Sequence, residues 1–208
     1  LAEVFLDFLT FKVCLESELP TLLVENQKVP GTGKVHLTGQ LGDVMQESAQ
    51  IALSLVRERL QRFGIDPAIV KKTDIHIHVP EGAVPKDGPS AGIALTLCLL
   101  SAFTKQPIPP DVAFTGEVSL TGACLPIGGL NEKALAALQA GVKTLRLPVA
   151  NQKDVNELPA PAKKGLKIYT HKHIDEIIKI LFVKPGAKKL KAEGAAKSEK
   201  PAKVSKKK

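Results

Sequence analysis

From Ser90 to Thr104, fifteen consecutive residues carry no charge. The stretch is longer than an ordinary strand and shorter than the roughly 18 apolar residues of a membrane span, so it reads as a helix buried on nearly every side. Such a helix needs a body able to cover it. The chain's 208 residues suffice for one good-sized domain on the usual scale of about 100–200 residues per domain. With 44% hydrophobic and 24% charged residues the composition is globular, which excludes a mainly disordered or collagen-like chain. Asp7, Lys12 and Glu16 interrupt the apolar start and Lys105 closes the long run, so no membrane span is expected. The chain begins without Met or a basic segment before an apolar one, and reads as a piece of a longer or processed product without a signal peptide.

The net charge of +8 sits at one end. Residues 184–208 hold ten Lys and two Glu, which accounts for all of it, and the remainder is neutral with 19 basic and 19 acidic residues. Any affinity for nucleic acid, acidic protein or anionic membrane therefore comes mainly from this Lys/Ala/Gly/Pro tail, which reads as disordered. Cys14, Cys98 and Cys124 form neither a close pair nor a metal-type cluster and are expected as free thiols.

Residues 1–24 are apolar but of open register: Leu1, Phe5, Phe8 and Leu9 fit a helix face, whereas Thr10 to Leu15 fit a strand. A turn at Pro30-Gly31-Thr32-Gly33 precedes a strand over 35–38 and a helix over 43–63 that ends at Gly64. In the strand over 74–79, Ile75, Ile77 and Val79 alternate with Asp74, His76 and His78. Strands over 112–115 and 118–120, a helix over 131–140, strands over 142–147 and 166–170 and a helix over 174–182 complete an α+β (mixed α/β) body without repeats.

Gly88-Pro89 sets Ser90 in the opening turn of the uncharged helix, where backbone N–H groups lack intrahelical partners and the dipole is positive. A serine there can attack a carbonyl while neighbouring amides receive the oxyanion, or it can simply cap the helix. On the helix over 131–140, Lys133 shares an arc with Ala136, Ala137 and Ala140, away from Glu132 and Gln139. A desolvated lysine sheds its proton near neutrality and can then accept one from serine; the alternative is a lysine snorkelling from the edge of a core. Asp87 is expected to cap the Ser90 helix, with a gating role as the alternative. His76 and His78 share a strand face, yet no third ligand lies within reach to make a metal site. Gly31-Thr32-Gly33-Lys34-Val35 superficially suggests a phosphate loop, but Lys28 stands where that pattern needs Gly and Val35 where Ser or Thr should hold magnesium.

Together these residues and their flanks form a recognisable set. His76-Ile77-His78-Val79-Pro80-Glu81-Gly82-Ala83-Val84-Pro85-Lys86-Asp87-Gly88-Pro89-Ser90-Ala91-Gly92, then Thr115-Gly116-Glu117-Val118, then Leu125-Pro126-Ile127-Gly128-Gly129-Leu130-Asn131-Glu132-Lys133, closely resemble the proteolytic domain of Lon proteases. Thr38-Gly39-Gln40-Leu41-Gly42-Asp43 upstream and Ala140-Gly141-Val142 downstream extend the match to about residues 25–183. The resemblance implies a Lon-type fold of short mixed sheets packed by helices, preceded by a poorly matched segment 1–24 and followed by the disordered Lys-rich tail 184–208. It further implies a serine endopeptidase with a Ser–Lys dyad: Ser90 as nucleophile, Lys133 as general base, and Thr115 orienting the lysine amine. His76 and His78 would lie near the substrate groove in a supporting role, with Asp87 and Gly88 on the active-site loop. No cofactor or metal is implied in this chain; ATP and magnesium belong to an ATPase module absent here, which would unfold damaged proteins and thread them into a six-fold ring.

Three departures accompany the resemblance. Residues 3–24 do not match the family's opening segment, Asn131 replaces a basic residue common before Glu-Lys, and the tail has no counterpart, although it could contact nucleic acid phosphates. The alternative is a Lon-like fold kept as a non-proteolytic ring-forming or nucleic-acid-interacting module, which would generally lose the dyad retained here. The mitochondrial matrix or cytoplasm is the expected compartment; the peroxisome is disfavoured because the chain ends in Ser205-Lys206-Lys207-Lys208 and not Ser-Lys-Leu.

Overall fold

The computed structural model describes residues 9–13, 22–80 and 84–182. The expected disorder of the tail, the helix face at the start of the chain and the thiol of Cys14 lie outside them. Strands β1 (Leu9–Val13) and β2 (Leu22–Pro30) pair antiparallel, which resolves the open register near the start in favour of strands. They are followed by β3 (Val35–Thr38), α1 (Asp43–Arg59), β4 (Thr73–His78), α2 (Gly92–Thr104) and β5 (Val112–Phe114). A hairpin of β6 (Glu117–Val118) and β7 (Cys124–Leu125) leads to α3 (Leu130–Gln139) and β8 (Thr144–Pro148). Two short helices, α4 (Gln152–Glu157) and α5 (Ala160–Gly165), precede β9 (Lys167–His171) and α6 (Ile174–Leu181).

Seven of the strands form one mixed sheet in the order β3-β4-β2-β1-β5-β8-β9, and β6 with β7 forms a second, two-stranded one. The mixed α/β class is as expected from the sequence, and the individually short strands join across the molecule. The β1–β2 and β2–β4 pairs are antiparallel; the β1–β5, β5–β8 and β8–β9 pairs are parallel. The strand expected through Leu120 stops at Val118. Gly122 N–H donates to the Ser119 carbonyl at 2.8 Å, so the chain reverses there and leaves Leu120 65% exposed.

Alternation along the strands divides the apolar residues between two cores. One core takes Val24, Ile75, Ile77 and Phe114 with α1, α2 and α6; the other takes Ala113, Leu145, Leu147 and Ile168 with α3, α4 and α5. Helix α2 is buried from Gly92 to Phe103, as its lack of charge requires. Each of its fully buried Leu and Ile side chains contributes about 1.5–3 kcal/mol relative to exposure. Where the helix ends, the Lys28 ammonium on β2 donates to the Ala102 carbonyl and lies 5.5 Å from the Phe103 ring centroid, placing a cation at the negative end of the helix.

Candidate active site

Ser90 lies in a single 3-10 turn, Pro89–Ala91, capped by Gly88 at φ 113°. A Cβ at Gly88 would meet nothing within 4 Å, so glycine is required there by backbone conformation and not by space. Pro89 starts the turn with a preset φ and no amide hydrogen to leave unpaired. Ser90 itself is buried, with 3% of its surface exposed. Its carbonyl accepts Gly116 N–H at 2.8 Å, and the Gly116 carbonyl accepts Ile93 N–H at 3.0 Å. These two bonds clip the serine turn onto the segment that leaves β5.

Thr115 precedes Gly116. Its N–H donates to the Arg146 carbonyl at 3.1 Å, extending the β5–β8 ladder by one residue, and none of its surface is exposed. Two-residue alternation gives Thr115 the same face of the sheet as Ala113, the face on which α3 packs. Lys133 lies one turn into α3 and is 1% exposed, on the side that also buries Leu130, Ala134 and Ala137. Glu132 and Gln139 are exposed, as their angular positions require. Lys133 is thus a core lysine, not one reaching out from the rim. Three polar side chains, Ser90, Thr115 and Lys133, therefore occupy positions that apolar packing alone would fill with carbon.

Asp87 acts differently from its expected role as cap of the Ser90 helix. Its Oδ1 accepts Met45 N–H at 3.0 Å and Gly88 N–H at 2.8 Å, so the carboxylate caps the first turn of α1 from across the molecule. The α1 N-cap, Gly42, has no side chain to do this, and a Cβ there would stand 2.4 Å from the Asp87 Cγ. Lys86, which sequence reasoning passed over, is 3% exposed and its ammonium donates to the carbonyls of Gly39 and Val84 at 3.2 and 3.1 Å. Its backbone bridges the loop before α1, accepting Gly42 N–H at 2.8 Å and donating to the Gln40 carbonyl at 3.0 Å. The approach to Ser90 is thereby pinned at residues 86 and 87; no sequence signal beyond the density of Gly and Pro pointed to this.

His76 and His78 lie on the face of β4 opposite the buried Ile75 and Ile77. The Thr38 hydroxyl joins them, 2.9 Å from His76 Nε2 and 2.8 Å from His78 Nδ1. Among the described residues no three His, Cys, Asp or Glu side chains come together as a metal-ligating group. The loop resembling a phosphate cradle is already occupied from within: Thr32 and Lys34 N–H groups donate to Asp74 Oδ1 at 2.7 and 2.9 Å. Those bonds, first that from Lys34, hold the Asp74 carboxyl below its ordinary value.

Comparison with known proteins agrees with this architecture. The family model for the Lon protease (S16) C-terminal proteolytic domain matches residues 18–184. The Lon protease of Xanthomonas oryzae pv. oryzae is 52% identical over 164 residues, 79% of this chain and 19% of that protein. That of Brevibacillus choshinensis is 51% identical over 164 residues, covering 79% and 21% of the two chains, and that of Chloroflexus aggregans 54% over 159 residues, covering 76% and 19%. The chain spans about a fifth of the length of these relatives. With the family's motifs lying in order on one continuous fold and half of the aligned residues identical, the chain belongs to the Lon protease C-terminal proteolytic domain family.

Proposed function

We propose that the chain is a serine endopeptidase module in which Ser90 is the nucleophile, Lys133 the general base and Thr115 the residue that orients the lysine amine. The observation that carries this reading is the burial of Ser90, Thr115 and Lys133 at 3%, 0% and 1% exposure, with the serine turn clipped to Gly116, the residue after Thr115. Burying a lysine is costly unless its charge is shed or matched, and shedding the proton is what a general base requires.

In the proposed reaction, neutral Lys133 takes the Ser90 hydroxyl proton as the oxygen attacks a peptide carbonyl. Backbone N–H groups in the opening turn stabilise the oxyanion as charge develops. The Lys133 ammonium returns its proton to the leaving amine, breaking the C–N bond and leaving an ester on Ser90. Water, deprotonated by the same lysine, hydrolyses that ester. Such chemistry follows the serine–lysine variant of nucleophilic catalysis. In a longer parent chain, an ATP-hydrolysing module would deliver unfolded protein to a ring of these domains in the matrix or cytoplasm.

The test compares cleavage of a fluorogenic peptide by the 208-residue chain, Ser90→Ala and Lys133→Met across about pH 6–9 without ATP. The expected result is activity that rises with pH as the lysine deprotonates and disappears in both variants. Full activity in Ser90→Ala would refute the assignment. Silence of the parent chain, including in a mixture with ATPase-bearing relatives, would favour the non-proteolytic reading.

A further inference from the structure

Residues 146–151, the end of β8 and the turn after it, contact Thr115, Gly116 and Ile127, which flank or belong to the segments bearing the proposed site residues. The Arg146 carbonyl holds Thr115 N–H at 3.1 Å, and Pro148 packs on Gly116, where a Cβ would come within 2.9 Å of its Cγ. Gly116 in turn holds the serine turn through the Ser90 carbonyl. Three residues beyond Pro148, Asn151 is 2% exposed and its side-chain amide lies along the peptide of Ile127. Oδ1 accepts Ile127 N–H at 3.1 Å, and Nδ2 donates to the Ile127 carbonyl at 2.7 Å and to Asp154 Oδ2 at 2.7 Å. Every polar atom of this amide is used, and two of its three bonds fix both ends of one residue.

Ile127 opens the Gly128-Gly129 turn that launches α3, and Lys133 N–H closes the first turn of that helix on the Gly129 carbonyl at 3.1 Å. Two consecutive glycines give such a link little stiffness of its own. Something outside the link must therefore set where α3 begins. We infer that Asn151 is a positioning residue for catalysis, fixing the start of α3 and hence the placement of Lys133 relative to the Ser90 turn, both referred to the same corner of β8. The inference rests on the reading of Lys133 as general base.

Asn151→Ala removes the clamp and leaves the Arg146 and Pro148 contacts to the serine side intact. Asn151→Asp retains an acceptor for Ile127 N–H but sets a carboxylate against the Ile127 carbonyl and the Asp154 carboxylate, so it should act more strongly. In the 208-residue chain, amide hydrogen exchange is expected to rise over 127–133 in both variants, while the amides of Ile93 and Gly116 keep their parental protection. Since displacement by an ångström costs up to about a hundredfold in rate, kcat is expected to fall about tenfold to a hundredfold. KM should stay within about twofold, because the clamp acts on the lysine and not on substrate contacts.

Turnover is referred to the number of Ser90 residues titrated by a fluorophosphonate probe, which separates loss of folded chain from loss of rate. Parental kcat per titrated Ser90, or exchange that rises across the whole chain or not at all over 127–133, would overturn the inference. A parent chain whose turnover survives Ser90→Ala would instead refute the underlying reading and with it the catalytic role of Asn151. In that case faster exchange confined to 127–133 would still establish the structural clamp alone.

Discussion

Gly116→Ala is the substitution whose cost the structure defines most closely. Gly116 has φ 147°, a conformation open to glycine and strained for an L side chain by about 1–3 kcal/mol. Space is denied as well: an added Cβ would lie 2.4 Å from Ile93 Cδ1, 2.9 Å from Pro148 Cγ and 3.0 Å from Pro148 Cδ. The Ile93 methyl can turn away only into a core that is already filled, and the proline ring is rigid, so overpacking adds about 1–3 kcal/mol. Together these give about 2–6 kcal/mol, a large part of the stability of a domain this size. Gly141→Ala is the control, since its φ is 74° and nothing lies within 4 Å of the added carbon; only backbone strain of about 1–2 kcal/mol applies. Urea unfolding followed by far-ultraviolet circular dichroism measures both variants. The expected order is parent, then Gly141→Ala, then Gly116→Ala, with the folded fraction of the last also slow to acylate at Ser90, because the displaced Gly116 carries its carbonyl clip with it. Equal midpoints for the two variants would refute the steric argument.

Three further outcomes follow from the same geometry. Asp175, at the start of α6, accepts from Arg59 Nε at 2.5 Å and Arg62 at 2.6 Å; burial pushes its carboxyl up, but the hydrogen bonds from Arg62 and Arg59 outweigh this and hold it below its ordinary 3.8. The stabilisation is therefore complete above the unfolded value and lost as pH falls through the lower folded one. Asp175→Asn should cost about 2 kcal/mol at neutral pH, and its deficit should shrink in acid, measured as urea midpoints against pH. Burial pushes the Cys124 thiol up to about 12, with Glu176 adding to it, and raises Cys98 further despite the hydrogen bond from Asn26. At about pH 8 iodoacetamide should spare both in the folded chain and modify both in urea, read by peptide mass spectrometry; rapid native labelling would contradict their burial. Asp74→Ala should expose the Thr32 and Lys34 amides to fast hydrogen exchange without creating affinity for a fluorescent ATP analogue; unchanged exchange would show that the carboxylate does not organise the turn.

Legibility from sequence varied with the range of the interaction. Helix α2 was plain because fifteen uncharged residues admit few arrangements in water, and α3 because Glu132 and Gln139 mark its wet side. The strand of Ile75 and Ile77 was read from its period of two, and one residue separates the expected and observed ends of several elements, as fraying ends allow. The two-residue strand at Cys124–Leu125 was invisible, since nothing so short carries a period. Asp87 reads locally as a cap for the Ser90 turn, its neighbour in sequence, whereas its carboxylate reaches Met45, 42 residues away, a partner that no local pattern reveals.

The sequence alone determined the class of fold, the order of the motifs and the residue types available for chemistry, because periodicity, glycine and proline placement and the count of charges act locally. The tertiary structure alone decided that Lys133 is enclosed, that Gly116 clips the serine turn to β5 and that Asn151 clamps Ile127. Each of those depends on a strand pairing or a turn that brings distant residues within hydrogen-bonding distance, and the closure of such long loops is governed by the packing of the whole body, which no local pattern encodes.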